Sequence, residues 1–99
     1  MLMVDPTKPE TDDQKLIQQV CQEIAEMLIS KNKAYGSSAL DPLRIFSKAS
    51  SIEQINVRID DKLSRLARGH AYGDEDTELD LIGYLVLKRV AVRRVRDRE

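Results

Sequence analysis

The sequence predicts an all-α fold: a compact bundle of three main helices, with an irregular loop between the first and second and with assembly into a homo-oligomer. Three observations carry that expectation. Apolar residues recur at helical spacing in three separate stretches, each opened by helix-start residues. The large side chains are few, with Phe46, Tyr35, Tyr72 and Tyr84 the only aromatics and 33% of residues charged, so helices must pack through Leu, Ile and Val. The segment LDLIGYLVL, Leu79 to Leu87, is apolar on nearly every side, as in a helix that is central to its fold or covered by another subunit.

The first helix opens at Thr11. In Thr11-Asp12-Asp13-Gln14 the hydroxyl can accept from the Gln14 amide while Gln14 reaches back, a capping box. Leu16, Ile17, Val20, Cys21, Ile24 and Leu28 then define one apolar face, on which Cys21 is expected to be buried and unreactive. The pattern fails from Asn32 to Gly36, which reads as a loop. Residues 1–10, with Pro6 and Pro9, read as a flexible N-terminal arm, and 11–99 as a single helical domain. In LDPLRIFSKA, Leu43, Ile45 and Phe46 are expected to fold onto the bundle.

The second helix has two candidate caps, Ser50 and Ser51, with Glu53 or Gln54 three residues on. At roughly 100° per residue, Ile52, Ile55, Ile59, Leu63 and Leu66 form one stripe. Arg58, Lys62 and Arg65 line one flank, Asp60 the other, and Asp61 points away; Gly69 is the stop. The third helix starts at Thr77 after the acidic turn Asp74-Glu75-Asp76. Its far end carries Lys88, Arg89, Arg93, Arg94, Arg96 and Arg98, an arrangement that suits the helix dipole.

Composition narrows the function. Ninety-nine residues make one domain with a modest core, and a net charge of −1 gives no case for binding a DNA or RNA polymer. One cysteine excludes an intramolecular disulfide, and Cys and His are too few for a zinc site. No apolar run approaches the roughly 18 residues of a membrane span, and the opening MLMVDPTKPE lacks the features of a signal peptide. The expectation is a cytoplasmic protein.

Charge near the core marks the chemistry. Asp80 falls in the first turn of an almost wholly apolar helix, where a carboxylate is costly unless paired. Its nearest cations are Arg58, Lys62 and Arg65, and Arg65, with its bidentate guanidinium, is the expected partner. Such a pair either ties the second helix to the third or orients a charged pocket. Gly83 costs a helix about 1 kcal/mol relative to alanine, which close helix packing offsets. Tyr84 reads as core with its hydroxyl on a polar partner, or as a ligand-stacking ring. Lys31 and Lys33 read singly as dipole partners. With Tyr35 as a wall and Arg58, Lys62 and Arg65 behind, they would close a cationic pocket for phosphate and base, to which Ser37 and Ser38 add donors. His70 reads as a solvated loop residue.

The segments KNKAYGSSALDPLRIFSK, RIDDKLSRL and ELDLIGYLVL, in that order between Lys31 and Leu87, resemble the phage-encoded nucleotide modification associated domain one family. The resemblance implies nucleotide chemistry, with the activity left open, in a host cytoplasm. It carries over Lys31, Asn32, Tyr35 and Gly36, then Arg58, Asp60, Asp61, Lys62 and Arg65, then Asp80, Gly83 and Tyr84.

Three functions follow. The first is a protein that binds a nucleotide or cyclic nucleotide signal through Lys31, Lys33, Tyr35, Arg58, Lys62, Arg65, Asp80 and Tyr84, without a cofactor, as a sponge against host defence signalling. The second is a Mg²⁺-dependent nucleotide pyrophosphatase similar to the MazG type, with Asp60, Asp61 and Asp80 on the metal. Its usual acidic pairs are imperfect here: Glu26 points away from the apolar face that Glu23 edges, and Glu78 and Asp80 splay. The third is a non-catalytic accessory subunit in nucleotide modification.

Overall fold

The computed structural model describes residues 7–42, 44–69 and 76–98, and among these the only regular elements are three helices. The first, α1, spans Asp12–Tyr35. Its capping box forms as the residue types dictate: Thr11 Oγ1 accepts from the Gln14 amide at 3.1 Å, and Gln14 Oε1 accepts from the Thr11 amide at 2.9 Å. The helix does not stop at Asn32. It continues to Tyr35 and ends at Gly36, whose φ of +66° only glycine adopts without strain. Lys31, Lys33 and Tyr35 therefore stand on the last turns of a helix, where the lack of apolar residues had suggested a loop.

The second helix, α2, spans Ser51–Arg68. Of the two candidate serines, Ser50 caps it, its Oγ accepting from the Glu53 amide at 3.1 Å. Gly69 closes it in the left-handed conformation and donates its N–H to Leu66 O at 3.2 Å. Removing that hydroxyl in Ser50→Ala is expected to lower stability by about 1 kcal/mol, measured by urea titration. The third helix, α3, spans Thr77–Asp97 and is capped by the Asp76 carboxylate, which accepts from the Leu79 amide at 2.9 Å.

The core lies between α2 and α3. Ile55, Ile59 and Ala91 are buried, with Leu40, Ile52, Leu81, Tyr84 and Leu87 packed around them. Only the first part of the α2 stripe is covered: Leu63 and Leu66 remain exposed. The segment after α1 contributes Leu40 to this core, and an Asp41–Arg94 ion pair of 3.2 Å ties it to α3. Phe46 is 95% exposed and Ile45 is exposed as well, so neither folds onto the bundle. Leu40, placed before Pro42, takes that role; Leu43 lies outside the described residues.

α1 is the least integrated element. None of its residues is buried; Leu16, Ile17, Val20 and Ile29 are exposed. Cys21 is exposed too, contrary to the expectation of a buried thiol, because no other described segment covers that end of the helix. α1 touches α3 through its C-terminal part. There a Cβ on Gly83 would lie 3.2 Å from Leu28 Cδ2 and 3.7 Å from Met27 Cε, so the glycine permits the close approach that its place in the sequence suggested. α3 is thus central, in contact with both neighbours. No helix among the described residues is long and apolar enough to cross a membrane. The arm is described from Thr7, where Glu10 accepts from Gln18 Nε2 at 2.7 Å.

Candidate ligand groove

Where α1 meets α3, the chain forms a groove of about 290 Å³. Its floor is apolar: Met27 and Leu28 from α1, Leu40 from the following segment, and Gly83 and Leu87 from α3. The rim is polar. Lys31, Asn32 and Tyr35 come from the last turns of α1, Ser37 and Ser38 from the turn beyond it, and Asp80 and Tyr84 from α3. Helical spacing explains the α1 contribution, since 28 lies three and four residues before 31 and 32, and these lie four and three before 35, which sets all of them on one face. The same spacing sets 80, 83, 84 and 87 on one face of α3. The absence of a side chain on Gly83 leaves the floor open between them.

Two details fix the rim. Asn32 Nδ2 donates to Ser37 Oγ at 3.2 Å, holding the turn against the helix end. Asp80 forms an ion pair with Lys62 from α2 at 3.3 Å, with side chains 27% and 12% exposed, respectively. The expected partner of Asp80 was Arg65. Arg65 instead pairs with Asp61 on its own helix, at 3.3 Å and one turn away. Lys62 takes the position because its long stem can lie along the apolar seam while its ammonium reaches the carboxylate.

The predicted site residues divide accordingly. Lys31, Tyr35, Asp80 and Tyr84 line one groove, and Lys62 acts on it through Asp80. Lys33, Arg58 and Arg65 are not among the described lining residues; Lys33 and Arg58 are exposed elsewhere. Tyr84 packs against the core and also lines the groove. Lys31 and Tyr35 project into solvent, Tyr35 with 74% of its surface free, and Lys31 has no carboxylate partner among the described residues. The floor residues Met27, Leu40 and Leu87 carried no chemical signal in the sequence.

Asp60, Asp61 and Asp80 do not converge. Among the described residues no group of three or more His, Cys, Asp or Glu side chains could hold a metal ion. Asp60 and Asp61 are exposed on α2, and Asp61 faces Arg65. Glu23, Glu26 and Glu78 are exposed as well. His70, Tyr72, Asp74 and Glu75 lie outside the described residues.

Fold and site together define a small all-α chain with a solvent-facing groove that has an apolar floor and a mixed polar rim. Comparison with protein-family models, curated proteins and solved structures finds no match.

Proposed function

We propose that the groove binds a nucleotide, with phosphate at Lys31 and the base against Tyr35 or Tyr84. One observation carries the reading: a lysine without a carboxylate partner among the described residues, two phenol rings and a row of hydroxyl and amide groups share one cleft whose carboxylate is already balanced by a cation. Without Lys62, Asp80 would repel an anion. With it, the carboxylate can accept from ribose hydroxyls or a base amino group at little cost to phosphate binding. Ser37, Ser38 and Asn32 supply neutral donors beside the ammonium. The groove volume is close to the roughly 300 Å³ at which small-molecule sites begin, which suits a mononucleotide or one half of a cyclic dinucleotide.

The resemblance to the nucleotide modification associated family supports the same ligand class. Binding without turnover is preferred to pyrophosphate hydrolysis, because the carboxylates that would carry a metal sit apart and two of them face cations. Such a protein would act by sequestering a nucleotide signal, in keeping with a phage sponge.

The test is a panel of nucleoside triphosphates and cyclic dinucleotides, with Mg²⁺ or with chelator, followed by thermal melting and by product analysis. A ligand present at a hundred times its Kd is expected to stabilise the fold by about 2.7 kcal/mol and to be recovered intact. Tyr35→Ala should weaken that ligand by about 1–3 kcal/mol, the range for loss of one stacked base. Metal-dependent release of pyrophosphate would replace this reading with the enzyme.

A further inference from the structure

The groove leaves two surfaces unaccounted for. In the first half of α1, Leu16, Ile17 and Val20 are exposed and no described segment lies against them. The helix meets α3 only further on, where Met27 and Leu28 pack at Gly83 and form the groove floor. On the tail of α3, the side turned away from α2 carries Val86 and Val90, both exposed. Arg89 and Arg93 stand beside them, exposed and without a carboxylate partner among the described residues. The chain as a whole is under-packed. Its accessible surface of 8512 Å² compares with about 5700 Å² for a compact protein of 11.3 kDa. The Cα radius of gyration is 16.5 Å, against about 12.6 Å expected for this length. The surplus area is larger than the roughly 800 Å² per partner that a standard interface covers.

These two surfaces complement each other in spacing and in charge. At roughly 100° per residue, Asp13, Leu16, Ile17 and Val20 fall on one side of α1, and Val86, Arg89, Val90 and Arg93 on one side of α3. Followed in opposite directions, both sets run in steps of 3, 1 and 3, from 13 to 20 and from 93 to 86. Residues 10–26 carry five carboxylates and one lysine, whereas 88–98 carry six cations and one carboxylate. The two cannot meet within one chain. Leu40 packs on the core that holds Ala91, and Asp41 pairs with Arg94, so the C-terminal end of α1 is the end that lies towards the α3 tail. Leu16 to Val20 lie about 12–18 Å back along the helix from Leu28, on the other side of the Gly83 contact.

We infer that two copies of this chain exchange these surfaces, the first half of α1 of each copy lying antiparallel along the α3 tail of the other. Leu16 then covers Val90, Val20 covers Val86, and Ile17 packs on the aliphatic stem of Arg89. Asp13 of each copy meets Arg93 of the other. A two-fold axis makes every contact twice, as an isologous dimer requires. The antiparallel sense sets the two helix dipoles in opposition. It also places the acidic first turn of α1 (Asp12, Asp13) beside the basic last turn of α3 (Arg94, Arg96). Pairing two α1 halves, or two α3 tails, would bring like charges together. None of the residues exchanged lines the groove, so Met27 and Leu28 keep their packing at Gly83.

The proposal does not depend on what the groove binds, and its test uses no ligand. Sedimentation equilibrium of the full chain at micromolar concentration should give twice the 11.3 kDa chain mass. Asp13→Lys and Arg93→Glu singly should each weaken the dimer by about tenfold or more, since each opposes like charges in both copies of the contact. Both residues are exposed, so circular dichroism should show folded variants. The double variant Asp13→Lys/Arg93→Glu should recover most of the lost affinity. So should an equal mixture of the two single variants, because every reversed charge then meets its complement on the other chain. A monomeric wild-type chain, or a double variant no tighter than the single ones, would overturn the α1–α3 exchange.

Discussion

Ile55→Ala is expected to lower the unfolding free energy by about 3–4 kcal/mol, the middle of the range for emptying a fully buried aliphatic site. Ile55 is 2% exposed and is the one large side chain with almost no free surface among the described residues. The core that surrounds it is small, with Ile59 and Ala91 the only other buried apolar side chains described. A small core has few neighbours that can move into the space left behind. Domains of this kind are stable by about 5–15 kcal/mol, so the loss is a large share of the total. Ile29→Ala makes the contrast. Both residues are isoleucines, but Ile29 is exposed, and its truncation should change stability by no more than about 0.5 kcal/mol. Chemical denaturation of both variants at one fixed protein concentration checks the pair. An Ile55→Ala protein within about 1 kcal/mol of wild type would mean that the α2–α3 seam does not hold the fold.

That seam was legible in the sequence because both of its sides carry local signals. Ser50 and Asp76 mark where α2 and α3 begin, Gly69 marks where α2 ends, and Ile52, Ile55 and Ile59 repeat at the helical period. The start of α1 was legible for the same reason. Its end was not. Lys31 to Tyr35 has no apolar periodicity to extend the pattern, yet nothing there breaks a helix before Gly36. Periodicity reports a face that is buried, whereas continuation of a helix needs only residues that tolerate it. Exposure departs from the sequence expectation where no described segment faces the side chain. Periodicity puts Cys21, Leu63 and Leu66 on apolar faces, and residue type favours burial of Ile45 and Phe46, but burial depends on what another segment can place against them. The candidate site was read in part. The residue types at 31, 35, 80 and 84 pointed to one cleft, and the helix spacing on α1 and α3 brings them there. The choice between Lys62 and Arg65 as partner of Asp80 was beyond sequence reasoning. Both lie on the same flank of α2, less than one turn apart, and the decision rests on how deep each side chain enters the α2–α3 seam.

Lys62→Met tests what that pairing does. The substitution keeps a long apolar stem in the seam and removes the charge, so loss of packing contributes little to its effect. Asp80 is left half-buried without its cation. Exposed ion pairs contribute up to about 1 kcal/mol, and breaking buried ones costs about 3–5 kcal/mol. With side chains 12% and 27% exposed, the pair lies between those cases, and a cost of about 2 kcal/mol is expected. Binding should suffer separately, because the groove would now hold an uncompensated negative charge beside the phosphate of an anionic ligand. A nucleotide is expected to bind at least about tenfold more weakly, equivalent to about 1.4 kcal/mol. Lys62→Met/Asp80→Asn removes both charges and should regain most of the stability, which ties the single-variant loss to the stranded carboxylate. Arg65→Ala is the control on the same helix. Its pair with Asp61 spans one exposed turn, where such pairs contribute about 0.3–0.5 kcal/mol, and it should leave nucleotide affinity unchanged. Isothermal titration with whichever nucleotide stabilises the wild-type chain, alongside thermal melting, reads both effects. A Lys62→Met protein that melts and binds like wild type would show that Asp80 needs no counter-charge and that the groove's electrostatics are set elsewhere. A loss on Arg65→Ala in place of Lys62→Met would return the anion site to the guanidinium that the sequence alone had favoured.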